Sequence, residues 1–349
     1  MAGVVAKLVR PIAAVWLVRT EGAAIAAASI VAWEAVEITA EAARLGVHRG
    51  LQRHRSDRAS LAVASLVVVG AAGIAAGSIV ALWLDDISLV GPTAIIAVAS
   101  TMLFFATGRT QTAHRIAGTA AVSIGFGISA VAMHGAPAIG AAAVAAVAIY
   151  TTSRSIGWRQ LARATRAPLP IVSLVRTSLP LGLGELLQLV IRRGDVIAVQ
   201  LLTGSPRAVV GYAIARELVG ALAPIRDAVD QVLTPLVDRR NASAMATVGS
   251  RWAIAIAAPV ALVVVVAAPA GGPVAILALG RLAEVATCSW LFAIAVVAPP
   301  SQSVLAPLAG IVAMAAGALA LGGTDGIAAS VGLGFVVTNL VARRMLEDA

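Results

Sequence analysis

The sequence predicts an all-α integral membrane protein with about twelve transmembrane helices, arranged as two six-helix lobes around a central cavity. Apolar residues make up 60% of the chain and charged residues only 12%, about half the charged share of an average soluble domain. The mean hydropathy is +0.94. Apolar runs long enough to cross a bilayer recur from end to end, as in residues 60–84, SLAVASLVVVGAAGIAAGSIVALWL.

The distribution of charge predicts the orientation in the membrane. The net charge of +9 comes almost entirely from arginine. Arginines concentrate in alternate connections, near residues 44–58, 109–115, 154–176, 239–251 and 343–344, and only one lies in the connections at 85–88, 134–137, 203–207 and 322–326. By the positive-inside rule we expect the arginine-rich connections and both termini to be cytoplasmic. Because the charge follows the loops, a nucleic-acid partner is not expected.

Twelve spans follow from this alternation. They are predicted at residues 3–18, 22–43, 59–83, 88–107, 116–133, 136–153, 177–202, 208–234, 252–268, 283–300, 304–321 and 327–342. The first, ninth and last are the shortest, so ten or eleven spans remain an alternative. Gly73 and Gly77 in the third span form a small-residue ladder of the kind that lets helices pack closely.

The chain divides into similar halves. The expected organisation is an N-terminal lobe at 1–153, a basic amphipathic connection at 154–176 along the cytoplasmic face, and a C-terminal lobe at 177–349. Residues 11–33 and 196–218 each show a span, a short polar turn and a second span. Transporters commonly bind their substrate between such repeats.

Ionisable side chains within the seventh span form a stripe. Glu185, Gln188, Arg192 and Asp195 are spaced by three, four and three residues, which places them on one helical face. Arg193 points about 100° away from Arg192. Charge at bilayer depth is costly, so the stripe should face an interior or a watery cavity.

Two further spans carry polar faces. The eighth holds Tyr212, Arg216, Arg226, Asp227 and Asp230. The second holds three glutamates, spaced by three and four residues: Glu34, Glu37 and Glu41. Glu34 and Glu37 are candidates for Na⁺ or proton coupling, whereas Glu41 lies near the cytoplasmic end, where pairing with Arg44 is the alternative.

Two interpretations of the charged stripes remain open. In one, Arg192–Asp195 and Arg226–Asp230 are internal ion pairs that fix packing. In the other, the arginines receive a polyanionic headgroup, since a guanidinium binds phosphate oxygens in bidentate fashion. The second interpretation is favoured because three separate helices carry such stripes.

Sequence signatures of catalysis are lacking. Cys288 is the only cysteine, the four histidines are scattered, and no Gly-rich phosphate loop or nucleotide-binding motif occurs. We therefore expect neither an enzyme nor a bound cofactor or metal.

Residues 178–240 resemble the seventh and eighth helices of the polysaccharide-biosynthesis flippases. These are the lipid-linked oligosaccharide (O-antigen-type) translocases of the multidrug/oligosaccharidyl-lipid/polysaccharide exporter superfamily. The resemblance rests on the opening LPLGLG, an Asp in the following span (Asp195), the stretch GYAIAR at 211–216, and Pro235 before a basic loop.

The resemblance implies a carrier that moves a polyprenyl-diphosphate-linked oligosaccharide across the inner membrane by alternating access. Membrane lipid, a polysaccharide polymerase and glycosyltransferases are its implied partners. The residues assigned to the diphosphate are Arg192, Arg216, Arg226 and, more weakly, Arg193. Those assigned to tuning or ion coupling are Asp195, Asp227, Asp230, Glu34, Glu37 and Glu185. The alternatives are a cation-coupled multidrug exporter of the same superfamily and a non-transporting scaffold of an envelope assembly complex.

Overall fold

The fold was analysed in a computed structural model of the 349-residue chain. The structure describes residues 2–44, 46–47, 58–104, 169–223, 240–267, 273–297 and 302–347, with a few single positions between these ranges. The regular elements in these ranges are all helical. The predicted fifth span, most of the sixth, most of the 154–176 connection and most of the end of the eighth span lie outside the described residues.

The chain divides into two compact units, Met1–Leu186 and Leu187–Ala349. This boundary falls within a long helix, and residues 171–176, assigned to the predicted connection, form the start of that helix.

Four complete helices are described in the first unit. They are α1 (Ala2–Glu21), α2 (Ala23–Ala43), α3 (Arg58–Leu84) and α4 (Val90–Phe104). α2 packs against α1, α3 and α4, and α3 packs along α4. A 3₁₀ turn (Ile87–Leu89) joins α3 to α4, and Asp86 caps it by accepting the backbone N–H of Ser88 at 2.9 Å.

The backbones of α3 and α4 touch where α3 carries glycine. A Cβ added to Gly73 would lie 2.8 Å from Ala94 Cα, and one on Gly77 would lie 2.9 Å from Val90 Cα. Real Cβ atoms do not approach backbone so closely, so these two positions require glycine. The small-residue ladder predicted from the sequence is confirmed.

A long helix, α5 (Ile171–Thr203), crosses the boundary between the units and bends by 45° between Pro180 and Gly182. A proline inside a helix removes one backbone hydrogen bond and clashes with the preceding turn, which accounts for the bend. Gly204 follows with a φ of +59°, a left-handed conformation that suits glycine.

Among its described residues, the second unit has five long α-helices after α5. They are α6 (Pro206–Val219), α7 (Ala242–Ala267), α8 (Val274–Val297), α9 (Leu305–Leu321) and α10 (Gly323–Glu347). Ser205 caps α6 by accepting the backbone N–H of Ala208 at 3.4 Å, and Pro206 occupies the first helical position. This tight turn returns α6 alongside the C-terminal part of α5, so Arg216 of α6 can meet Asp195 of α5.

Glycines also mark the helix interfaces of the second unit. α10 packs against α8 and α9, and α8 packs against α7. A Cβ on Gly280 of α8 would lie 3.3 Å from Gly332 Cα of α10, and one on Gly310 of α9 would lie 2.0 Å from Thr338 Oγ1 of α10. Close backbone approach is therefore built into both interfaces.

The distribution of polarity is the reverse of that in a soluble protein. Large apolar side chains point outward, among them Leu82, Val266 and Leu319, which are 84%, 76% and 74% exposed. Charged side chains such as Glu34 and Arg216 are buried. Among the described residues, six helices are long and apolar enough to cross a membrane, and bent α5 brings the number to seven. The chain is thus built for a lipid environment.

Candidate functional site: a charged network in the second unit

The polar stripe of α5 faces other helices of the second unit. Asp195 is completely buried and Arg192 is 22% exposed. Arg192 lies eleven residues before the end of α5 at Thr203, about 16 Å along the axis at 1.5 Å per residue. That distance is about half the thickness of the hydrocarbon core. Arg192 therefore lies about three turns inside the C-terminal end of α5.

Asp195 is held by two residues of α6. Arg216 Nη1 lies 3.2 Å from Asp195 Oδ1, and the Tyr212 hydroxyl donates to Asp195 Oδ2 at 3.1 Å. Tyr212 and Arg216 are four residues apart, so both project from the same face of α6. The exposed fractions of the Arg216 and Asp195 side chains are 4% and 0%.

The opposite side of the Arg216 guanidinium is also occupied. Arg216 Nη2 lies 3.1 Å from Glu217 Oε1, and Asp195 Oδ1 in turn accepts the backbone N–H of Val196 at 2.9 Å. A buried charge is tolerated when it is paired and hydrogen-bonded. The Asp195–Arg216 pair therefore links α5 to α6 as a buried ion pair that solvent does not reach.

A second group of charges joins α5 to α8. Glu284 Oε1 lies 3.0 Å from Arg192 Nε, and Glu284 Oε2 lies 2.5 Å from Arg281 Nη1. The exposed fractions are 22% for Arg192, 13% for Arg281 and 4% for Glu284. Two guanidinium groups thus share one carboxylate, and these three groups together carry one positive charge. We call them the arginine–glutamate triad.

Further contacts fix the two arginines of the triad. Arg281 Nη2 donates to the backbone carbonyl of Arg192 at 3.2 Å. Arg192 Nη2 donates to Gln188 Oε1 at 3.3 Å and contacts the Cys288 sulfur at 3.6 Å. These weak acceptors leave the guanidinium of Arg192 less strongly held than that of Arg216.

Two N–H donors of the triad lack a hydrogen-bond acceptor among the described residues. The Nε atoms of Arg192 and Arg281 are both buried, and neither makes a hydrogen bond with the residues that the structure describes. Arg192 Nε is close to Glu284, but its N–H does not point at the carboxylate oxygen, so that contact is an electrostatic one. Buried donors without acceptors are unfavourable, and a ligand with more acceptor oxygens would satisfy them better than Glu284 does.

The ion pairs differ from those expected. The sequence suggested Arg192–Asp195, but Asp195 pairs with Arg216 and Arg192 pairs with Glu284. Residues on one helical face can equally well pair with a neighbouring helix, and here the neighbours α6 and α8 supply the better geometry. The other suggested pair, Arg226–Asp230, lies outside the described residues, as does Asp227.

The remaining predicted residues are more dispersed. Arg193 and Glu185 are half-buried on α5. In the first unit Glu34 is 4% exposed and Glu37 is half-buried, both on α2. The alternative partner suggested for the third glutamate of that helix is confirmed, because Glu41 forms an ion pair with Arg44.

Arg281 and Glu284 were missed by the sequence reasoning. The tenth span was predicted to begin at residue 283, whereas α8 begins at Val274, so Arg281 was treated as part of a loop. The available signal was spacing: Arg281, Glu284 and Cys288 recur at three and four residues within GRLAEVATCSW, the pattern of one helical face.

Metal ligands do not cluster in the part of the chain that the structure describes. No group of three or more His, Cys, Asp or Glu side chains is arranged there to hold an ion. The charged side chains that meet in the second unit are guanidinium and carboxylate groups.

Comparisons with known proteins show the fold but not a sequence family. No protein-family model and no curated protein matches the chain. Three solved structures of MATE transporters share its fold. One is a MATE transporter in complex with Br-NRF, at 15% identity and a TM-score of 0.55, covering 100% of this chain and 93% of that one.

The other two structures agree with the first. An inward-facing multidrug resistance MATE transporter of the MOP superfamily gives 14% identity and a TM-score of 0.58, covering 99% of this chain and 92% of that one. A point mutant of a MATE transporter gives 14% identity and a TM-score of 0.55, covering 100% and 95%. The predicted fold class, an all-α membrane protein with about twelve transmembrane helices, is confirmed by this full-length match.

Proposed function

We propose that the chain is a membrane transporter that works by alternating access. The support is a shared fold over essentially the whole length of MATE transporters, one of them in an inward-facing conformation. Charged side chains within the helices of the second unit also fit a transporter, because such groups are costly in a membrane and usually mark a substrate or ion path.

For the substrate we propose a polyprenyl-diphosphate-linked oligosaccharide, moved from the inner to the outer leaflet for cell-surface polysaccharide biosynthesis. One observation carries this proposal: Arg192 and Arg281 share the single carboxylate of Glu284. The triad is positively charged and partly exposed, and guanidinium groups are well suited to phosphate. A central cavity that would admit the headgroup is part of the proposal.

Arg216 takes a different role from the one expected of it. Its side chain is 4% exposed and pairs with Asp195 and Glu217. In the proposal it holds α5 against α6, and contact with the diphosphate falls first to Arg192. Arg193 and Arg226 remain candidate diphosphate ligands, and Asp195, Glu34 and Glu37 remain candidate sites for H⁺ or Na⁺ coupling.

The second candidate function is a cation-coupled multidrug exporter of the same superfamily. One observation in its favour is that a multidrug resistance MATE transporter shares the fold of this chain. It is also favoured by the carboxylates beside Arg192 and Arg216, which offset much of the positive charge that would repel an organic cation. The net charge of the triad argues for the anionic substrate instead.

A paired assay in living cells separates the two candidates. A strain lacking this chain is complemented with the wild type, with Arg192→Ala or with Arg343→Ala, an arginine that is 60% exposed and pairs with Glu347. A lipid-linked oligosaccharide substrate predicts that Arg192→Ala alone abolishes surface polysaccharide at unchanged protein level. A multidrug exporter predicts unchanged polysaccharide and altered drug susceptibility.

The cellular setting follows from the same proposal. The chain would lie in the inner membrane with both termini in the cytoplasm, as the arginine-rich connections predict. Glycosyltransferases would supply its substrate on the cytoplasmic side, and a polysaccharide polymerase would use the product on the other side.

A further inference from the structure

Glu284 occupies the position that an anionic ligand would take between two arginines. Its two oxygens divide between the two guanidinium groups, one at 3.0 Å from Arg192 Nε and the other at 2.5 Å from Arg281 Nη1. A phosphate oxyanion bridges two arginines in the same manner, with more oxygens and a higher charge. Glu284 is therefore a chemical counterpart of a phosphate group within the protein itself.

The carboxylate of Glu284 does not satisfy all the hydrogen-bond donors of Arg192 and Arg281. Both Nε atoms are buried and make no hydrogen bond with the described part of the chain. Arg192 and Arg281 nevertheless keep 22% and 13% of their side chains exposed. An anion with additional oxygens could approach from the exposed side, bind the guanidinium groups there, and draw the two arginines away from Glu284 so that their Nε atoms also gain acceptors.

The other buried pair of the second unit does not offer the same opportunity. Asp195 and Arg216 are 0% and 4% exposed, and Asp195 also accepts hydrogen bonds from Tyr212 and from the Val196 backbone. A ligand would have to break several satisfied contacts to reach them. Of these two groups of charges, the arginine–glutamate triad is therefore the one that a ligand can reach and the one whose hydrogen-bond donors are not all paired within the described part of the chain.

We propose that Arg192 and Arg281 form a phosphate-binding site, and that Glu284 is an internal competitor which an entering phosphate or diphosphate displaces. The pair Arg281–Glu284 then belongs to the binding site together with Arg192. The identity of the natural ligand as a lipid diphosphate rests on the proposed function, whereas the anion site itself does not depend on transport.

Displacement of Glu284 would have a mechanical consequence. Glu284 lies on α8 and Arg192 on α5, so their ion pair joins the two helices. When a phosphate takes the place of Glu284, that link is exchanged for contacts to the ligand, while the Arg281 donation to the Arg192 carbonyl can persist. Ligand binding would thereby change the strength of the α5–α8 contact, which is how a substrate biases a conformational equilibrium.

The test measures binding of inorganic pyrophosphate to the purified full-length chain by calorimetry. If Glu284 competes with the ligand, the apparent affinity is reduced by the fraction of molecules in which the carboxylate occupies the site. Glu284→Gln, which keeps the shape and removes the charge, should therefore tighten pyrophosphate binding by about tenfold or more if the carboxylate occupies the site about nine-tenths of the time. Arg281→Gln should abolish binding.

The matched control is Glu347→Gln, which removes a carboxylate from the exposed Arg343–Glu347 pair. It should leave the affinity for pyrophosphate unchanged, because that arginine lies in solvent. Should Glu284→Gln not fold, Glu284→Asp, which withdraws the carboxylate by one methylene, should tighten binding to a smaller degree. In the wild type, pyrophosphate should raise the thermal midpoint, and in Arg281→Gln it should not.

A second arm identifies the source of the phosphate group. The same titration is made in nanodiscs of phosphatidylcholine alone and of phosphatidylcholine with phosphatidic acid. Weaker pyrophosphate binding in the presence of phosphatidic acid supports the site and indicates a lipid headgroup as ligand. Equal binding in both supports the site with a soluble phosphate as ligand.

Two results would overturn the inference. One is pyrophosphate affinity that falls or stays constant in Glu284→Gln, and the other is binding that persists in Arg281→Gln. Either would make the triad a structural ion pair only. The proposed transport function would survive such a result if Arg192→Ala still abolished surface polysaccharide, so the two failures are distinguishable.

Discussion

Asp195 and Arg216 form an ion pair that is sealed from solvent, with 3.2 Å between Oδ1 and Nη1 and exposed fractions of 0% and 4%. The pair joins the C-terminal third of α5 to the last turn of α6. Removing one partner of such a pair leaves an uncompensated buried charge, which is far more costly than losing an exposed pair. The first prediction follows from this relationship.

Asp195→Asn should lower the free energy of unfolding by about 3–5 kcal/mol, since the charge of Arg216 would remain buried. Tyr212→Phe removes only one hydrogen bond to the same carboxylate and should cost about 1.5–3 kcal/mol. Thermal unfolding of the purified protein in detergent measures both. The control, Arg343→Gln, breaks a pair that is 60% and 53% exposed and should cost about 0–1 kcal/mol. Equal losses in all three variants would contradict the sealed pair.

The contact between α9 and α10 makes a prediction about glycine. A Cβ at Gly310 would lie 2.0 Å from Thr338 Oγ1 and 2.6 Å from the Gly334 carbonyl oxygen. Gly310→Ala should therefore force the two helices apart and destabilise the chain by about 1–3 kcal/mol.

Gly211 provides the matched control for this variant. It lies in helix α6, and a Cβ there would meet no atom within 4 Å. Gly211→Ala should be neutral or stabilising by up to about 1 kcal/mol, because alanine favours the helix. Thermal midpoints of the two variants compare directly. A Gly310→Ala protein as stable as Gly211→Ala would show that α9 and α10 are not in backbone contact.

Helix α10 makes a prediction about orientation. Asp325 and Arg344 are both exposed and lie near opposite ends of the helix, about 28 Å apart at 1.5 Å per residue. Because Cys288 is the only cysteine, a Cys288→Ser background allows single-cysteine labelling. An impermeant maleimide should label Asp325→Cys in intact cells and Arg344→Cys only after the membrane is opened. The opposite pattern would place the C-terminus outside.

The fold class could be predicted because the membrane imposes it. Long apolar runs and scarce charge require spanning helices, and the ladder of Gly73 and Gly77 identified a close helix contact correctly. Helix ends were less predictable. The tenth span was predicted to begin at residue 283, whereas α8 begins at Val274 and includes Arg281, whose charge resembles that of a loop until its partner Glu284 is known.

The sequence singled out Arg192, Asp195 and Arg216 but missed Arg281 and Glu284, and it did not predict the pairing. Helical spacing placed Arg192 and Asp195 on one face of α5, and Asp195 of that face is buried. Which residue each one pairs with depends on the neighbouring helices, and a single helix carries no information about them. Asp195 therefore pairs with Arg216 of α6, and Arg192 with Glu284 of α8.

The most direct measurement of the proposed function is lipid translocation by the purified chain in liposomes. A polyprenyl-diphosphate-linked sugar is incorporated, and the fraction reaching the outer leaflet is followed with a sugar-modifying reagent that cannot cross the membrane. We predict rapid translocation by the wild type and by Arg343→Ala, and a rate at the level of protein-free liposomes for Arg192→Ala. Equal translocation by wild type and Arg192→Ala, or none above protein-free liposomes by the wild type, would contradict the assignment of the arginine–glutamate triad to a diphosphate substrate.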